Sequence, residues 1–214
     1  MKKLLSLLAA AALSLSSAFA VADDVVAPDL VVKRTTSELQ DLIRAHHEAY
    51  RADLPGFYKT VDDVVVPHFD VPFIAKIVLA RYWRTATDAE KQRFQVAFKN
   101  MLIRSYANAM LEYHDTVKAE WKPMHMAADT DDVTVMSNLL REGKQPISIG
   151  FAMHLVEGDW KIYDITVENI SLATNFRGQL SAEIKRTSLE SVIQRMETGD
   201  FTTAKPVTAA PATK

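Results

Sequence analysis

The chain has no cysteine among its 214 residues. That absence removes a disulfide framework, a thiolate-ligated zinc and a thiol nucleophile, so the fold must hold through packing alone. Net charge is also scarce: 25 Lys and Arg stand against 27 Asp and Glu, a formal charge of −2. The diffuse basic surface of a non-specific nucleic-acid binder is missing, and no nucleic-acid partner is expected. No G-x-S-x-G elbow, H-E-x-x-H helix, P-loop or G-x-G-x-x-G turn occurs, so the common motif-bearing enzymes lose support. Beyond the first 22 residues no apolar run is long enough to span a bilayer, and the mature protein is expected to have no transmembrane segment. What is present is greasy: 48% of residues are hydrophobic, with three Trp, nine Phe, six Tyr and eight Met. That suits one domain with a real core.

Residues 1–22 read as an export signal rather than as fold. Lys2 and Lys3 precede an apolar run from Leu4 to Leu15, then small residues lead to two competing A-x-A sites, Ala18-Phe19-Ala20 and Ala20-Val21-Ala22. Cleavage is therefore expected after residue 20 or 22. Loss of Lys2 and Lys3 leaves 23 basic against 27 acidic residues, a poor match for an anionic bilayer. A lipoprotein anchor would need a Cys at the cleavage point. The expected location is the periplasm of a diderm bacterium. The domain is expected over 23–199, and the Thr-, Ala-, Pro- and Lys-rich tail 200–214 to be disordered.

The pattern predicts an extended leader from Asp23 to Val32. A helix capped by the Thr35-x-x-Glu38 box follows, then a second from Pro55 ending before Pro67, and a third capped by Asp70. Thr87 and Glu90 form another box, opening the longest helix, Asp88 to Tyr113. The period then changes to two. Val117–Trp121, Val133–Leu140, Ile147–Val156 and Trp160–Val167 read as strands joined by turns at Glu142-Gly143-Lys144 and Glu157-Gly158-Asp159. A helical region over 171–196 closes the domain. The predicted class is α+β, an antiparallel meander of about four strands with helices on one face.

Sites for chemistry are few. His46 and His47 diverge by about 100° on a helix and cannot readily share a metal. Met124-His125-Met126 carries soft ligands, but on a strand His125 would point away from both thioethers. The adjacent pairs Asp62-Asp63 and Asp131-Asp132 suit turns and caps rather than acid–base work. No catalytic residue, metal or cofactor is expected. What remains is apolar: a helix row of Phe94, Phe98, Met101, Leu102 and Tyr106, and a strand row of Ile147, Ile149, Phe151 and Met153. Such rows make either a plain core or, where helix and sheet stand apart, the lining of an apolar cavity; periodicity does not separate the two.

One stretch is more specific. Gly158-Asp159-Trp160-Lys161-Ile162-Tyr163-Asp164-Ile165, then Glu168-Asn169-Ile170-Ser171-Leu172 and Asn175-Phe176-Arg177-Gly178-Gln179-Leu180, resemble the signature of the MlaC family. These are periplasmic phospholipid-binding proteins, also called toluene-tolerance auxiliary proteins. Asp70 to Ala80 and Tyr82-Trp83-Arg84 resemble the family's upstream segment, so the likeness spans about Thr35 to Met196. Asn169, Phe176, Leu180 and Ala80 replace the usual Gly, Tyr, Phe and Gly. The resemblance implies an NTF2-like domain with an added helical subdomain around an apolar cavity. It implies a shuttle carrying phospholipid between an outer-membrane lipoprotein complex and an inner-membrane ABC transporter complex, maintaining outer-membrane lipid asymmetry.

Two acyl tails of about 30 methylenes expose on the order of 24 kcal/mol of hydrocarbon at ~0.8 kcal/mol each. The helix and strand rows are the candidate lining, with Ile170 and Leu172 at the cavity mouth. The phosphate should stay wet, near Arg177, Arg81 or Arg84. The competing readings are an NTF2-like enzyme using His154, Tyr163 and Asp164, or a periplasmic chaperone for a hydrophobic ligand.

Overall fold

A computed structural model describes residues 25–127 and 129–201. The expected export signal at 1–22 and the expected tail from residue 202 onward lie outside the described residues. Six helices and a five-stranded antiparallel sheet make an α+β fold.

Helix α1 (Pro28–Ala52) starts with Pro in its first turn and no side-chain cap. The expected box at Thr35 is therefore not a helix start. Thr35 Oγ1 donates instead to the Val31 carbonyl at 2.9 Å, inside the helix. The extended leader is corrected to 25–27 of the described residues. Val31 and Val32 find apolar partners on the sheet, and that packing carries the helix upstream of the local signal. At His46 the backbone leaves helical geometry (φ −125°, ψ 18°) and α1 kinks.

Asp53 caps α2 (Leu54–Val64) by accepting from Gly56 N, and Asp70 caps α3 (Val71–Leu79) by accepting from Phe73 N at 2.9 Å. A short 3-10 segment, Ala80–Arg84, leads to α4 (Asp88–Tyr113), opened by the predicted Thr87–Glu90 box. The final helical region divides in two, α5 (Leu172–Arg186) and α6 (Leu189–Thr198), because Ser188 supplies a fresh cap to Ser191 N.

The strands β1 (Val117–Trp121), β2 (Asp132–Arg141), β3 (Ile147–Val156) and β4 (Asp159–Val167) follow the sequence pattern within one residue. A fifth, β5 (Ile170–Ser171), turns back on β4 through Glu168 and Asn169, both at positive φ. That left-handed pair makes a tight primed hairpin. The order is β1-β2-β3-β4-β5, a simple meander.

Three apolar cores divide the molecule. The largest joins α3, α4, α5 and α6 through Phe94, Phe98, Met101, Phe176, Leu180 and Ile193. A second sits between α1, α2 and α4, around Ile43, Phe57, Ile103 and Leu111. The third lies between the sheet and the start of α1, where Val32 meets Val135, Met153, Trp160 and Ile162. Helices are not confined to one face: the first turn of α3 meets the opposite face, with Phe73 packed on His154 and Tyr163.

Candidate lipid-binding face and its surroundings

Strand alternation sends Ile147, Ile149, Phe151, Met153 and Leu155 to one face of the sheet. Register places Leu139, Ser137, Val135 and Val133 beside the first four from β2, and β1 adds Val117, Ala119 and Trp121. On β4, simple alternation would put Trp160 and Ile162 on this face but Ile165 and Val167 on the other. The register shift between β3 and β4 leaves Tyr163 as an extra residue. Ile165 and Val167 are thereby returned to the apolar side, opposite Phe151 and Ile149. Five residues of one strand row thus become a four-strand apolar floor.

The floor is closed at one end and open in the middle. Under α1, Met153 is 0% exposed and Val135 1%, with Trp160 and Ile162 equally sealed. In the next row Phe151 and Ile165 are partly covered beside the buried Val135, and in the row after it Trp121 and Ile149 are partly covered beside the buried Ser137 and Val167. The Trp121 and Phe151 rings tilt together at 6.1 Å. Leu155, Met126, Val25, Val26 and Leu30 add exposed apolar surface. Of the partly covered residues, Trp121, Phe151 and Ile165 pack against the buried cluster and keep some solvent access.

The expected helix row divides. Phe94, Phe98 and Met101 point into the α3–α6 core, Phe98 stacked on Phe94 at 5.4 Å and edge-on to Phe176 at 5.3 Å. They face helices, not the strand row. Leu102 and Tyr106 lie on the α4 stripe between the two helical cores and are half-buried. Burial alone raises the Tyr106 pKa, and its hydroxyl donates to no other described residue. Of the two mouth residues, Ile170 is 49% exposed on β5, whereas Leu172 packs against the helical core.

The three arginines assigned to the headgroup sit on the α3–α5 side. Arg81 donates to the Tyr82 hydroxyl at 2.8 Å and stacks over its ring, and Tyr82 donates to the Ser181 carbonyl. Arg84 and Arg177 are exposed, and none of the three meets a carboxylate among the described residues. No contact ties them to the apolar floor.

Of the enzyme-like trio, His154 and Tyr163 meet, their rings 5.0 Å apart, but Asp164 hydrogen-bonds to neither. His154 Nε2 pairs at 3.0 Å with Asp70, which also caps α3. Asp164 is engaged elsewhere, accepting from Ala173 N at 3.0 Å to start α5. Tyr163 donates to Asp132 at 2.8 Å; burial and that hydrogen bond push its phenol up to about 12. Met124, His125 and Met126 form a loop after β1, not a strand, and Met124 packs on the sheet core. Among the described residues no three His, Asp or Glu gather as metal ligands, and no helix is long and apolar enough to cross a membrane.

Two surface cavities flank His114, which stacks on His47 at 4.3 Å. The larger, about 570 Å³, lies between the α1 kink and the end of α4, lined by His47, Arg51 and Asn108. The other, about 280 Å³, runs between α1 and β1, lined by Ser37, Gln40, Arg44, Asp115, Ala119 and Trp121 among others.

The family model described as "MlaC protein" matches residues 33–198. The chain belongs to the MlaC family. Among its relatives, the toluene tolerance protein Ttg2D of Pseudomonas putida is 29% identical over 166 residues, 74% of each chain. The intermembrane phospholipid transport system binding protein MlaC of Haemophilus influenzae is 20% identical over 174 residues, 79% of this chain and 80% of that one. A solved structure of a phospholipid-binding protein from Ralstonia solanacearum, in complex with a phospholipid, superposes with a TM-score of 0.72 at 27% identity, over 80% of this chain and 95% of that one. Membership accounts for the β4 signature. In this MlaC-family chain Trp160 and Ile162 build the floor, Asp164 starts α5, and Phe176 and Leu180 anchor α5 to the helical core.

Sequence reasoning missed Trp121 and Ile165. Trp121 had only its place at the end of a short strand to mark it. Ile165 was hidden because a bulge inverts the alternation that locates inward residues.

Proposed function

We propose that this protein is a periplasmic phospholipid carrier of an intermembrane transport system, holding acyl chains against the apolar face of its sheet. The supporting observation is the half-open centre of that face, at Ile149, Phe151, Ile165 and Trp121, next to a sealed margin. The fold match to a lipid-bound protein supports the same reading. Leu102 and Tyr106 are the α4 candidates for contact with the same guest, and Ile170 is the candidate for its rim. No covalent step is required of it, so neither a catalytic group nor a cofactor has a part. Exchange with an outer-membrane lipoprotein complex and an inner-membrane ABC transporter complex would follow from differences in affinity between docked partners.

The export layout of residues 1–22 and the lack of a membrane-crossing helix among the described residues favour the periplasm. The test is organic extraction and mass spectrometry of natively purified protein. Stoichiometric phospholipid is expected, and Ile149→Glu should abolish it with circular dichroism near normal. Protein that folds but carries no lipid, or that turns over a lipid ester, defeats the proposal.

A further inference from the structure

Charge is unevenly placed along the chain, and we infer that the helical side carrying Arg81, Arg84, Arg177 and Lys185 docks the protein on an anionic bilayer surface. From Val71 to Thr87 and from Leu172 to Arg186 there are six Lys and Arg residues against one carboxylate, Glu183. The whole chain has a formal charge of −2, so its acidic residues are gathered elsewhere. Net charge does not draw the molecule to such a surface; one side of it does.

Local geometry brings these cations together. In the 3-10 segment Ala80–Arg84, side chains three apart eclipse, so Arg81 and Arg84 project along one edge. On α5, Arg177, Ser181 and Lys185 stand four apart and form one row. Tyr82 ties the edge to the row: its hydroxyl accepts from Arg81 at 2.8 Å and donates to the Ser181 carbonyl at 3.4 Å. Its phenol is held below the ordinary value, first by the Arg81 hydrogen bond, with Lys185 adding to the effect through space. All four cations are exposed, and none pairs with a carboxylate among the described residues. Glu183 is taken by Arg186 and Arg195, and Asp88, the next carboxylate after Arg84, by Lys91.

The partner follows from what this side lacks. A specific protein interface centres on apolar and aromatic anchors. Over 71–87 and 172–186 no large apolar side chain is exposed. The two aromatic rings there lie beneath cations, Tyr82 with Arg81 at 4.8 Å and Trp83 with Lys91 at 5.5 Å. The surface thus presents charge without an anchor. A fluid sheet of phosphates needs no shape match and suits it better than a moulded protein surface. Such attraction is screened by salt and easily reversed, as a carrier that must leave again requires.

The experiment uses the processed protein, because the basic and apolar residues 1–22 would bind vesicles by themselves. It is floated at low salt with phosphatidylcholine vesicles that hold either no anionic lipid or about one-third phosphatidylglycerol. At roughly fivefold per cation, the wild type should favour the anionic vesicles by more than about tenfold. Salt at about 0.5 M should erase the preference. Arg84→Gln should lower anionic binding roughly fivefold. Lys185→Glu, a change of two charge units, should lower it roughly 25-fold while the lipid carried per molecule and the melting temperature hold. Lys144→Glu, in the β2–β3 turn, changes net charge equally and should leave binding within about twofold. Equal partition to the two vesicles, or equal losses in the Lys185→Glu and Lys144→Glu proteins, overturns the docking side. A wild type that still carries lipid but ignores both vesicles overturns it alone, and the cations would then fit an acidic protein surface.

Discussion

Met153 and Phe151 stand two residues apart on β3 and point at the same face, but only one is sealed. Truncating each to alanine separates a core from a binding surface. Met153 is 0% exposed and lies between Val133 and Ile162 on the sheet, in one cluster with Val32 of α1. Met153→Ala should therefore cost about 2–5 kcal/mol. A domain of this size loses roughly 2–4 °C per kcal/mol, so the melting temperature should fall by roughly 4–20 °C. Phe151 is partly open, and a Phe side chain carries about 150–250 Å²; its open part is on the order of 50 Å². At ~25 cal/mol/Å² that surface offers a bound tail ~1.2 kcal/mol, or roughly eightfold in affinity. Phe151→Ala should thus weaken lipid retention roughly eightfold with a smaller loss of stability. The assay is calorimetric melting of delipidated protein alongside lipid uptake from vesicles at subsaturating concentration. If both variants lose the same stability and lipid loss simply tracks unfolding, the face is an ordinary core and the carrier geometry is wrong.

Phe98→Ala removes a ring 2% exposed between Phe94 and Phe176; it should cost about 3–5 kcal/mol by urea unfolding while each folded molecule still carries lipid. Gly150→Val should misfold or lower the sheet's stability sharply, because a Cβ there would come within 2.5 Å of Thr166 Oγ1 and 3.0 Å of Met136 Sδ; thermal melting checks it. The Glu90, Glu183 and Glu197 carboxyls are all held below their ordinary range, by the Thr87 backbone N–H, by Arg186 and by Arg93 respectively. A lowered folded-state pKa stabilises above the unfolded value, near 4.3, and that contribution is lost as pH falls through the folded value. Melting temperature should therefore drop as pH falls below about 4.3, and less steeply in Arg93→Gln, which frees Glu197 from the bridge between α4 and α6.

What could be read from the sequence follows how local each determinant is. The box at Thr87 and Glu90 needs only four residues, so the bounds of α4 were legible, and so was the Asp70 cap. The meander was legible because strand alternation and Gly turns repeat within ten residues. The start of α1 was not: its local signal, Thr35 to Glu38, is overridden by Val31 and Val32 reaching the sheet more than a hundred residues downstream. The division of the Phe94, Phe98, Met101, Leu102 and Tyr106 row was equally non-local. A single apolar stripe running three to four turns along one helix can yet serve two partners, because each turn meets a different neighbour.

The bulge at Tyr163 carries the same lesson to the site. A one-residue insertion is invisible in composition and inverts every following side chain on β4. It is also what makes the floor continuous: without it Ile165 and Val167 would leave the face and Asp164 would enter it. Asp164 is instead free to accept from Ala173 N and start α5 at the sheet edge. A carboxylate in the middle of the apolar patch would repel hydrocarbon and need a partner of its own. The irregularity in the strand thus serves two ends at once, keeping the candidate tail surface apolar and fixing the helix that carries the rest of the family signature.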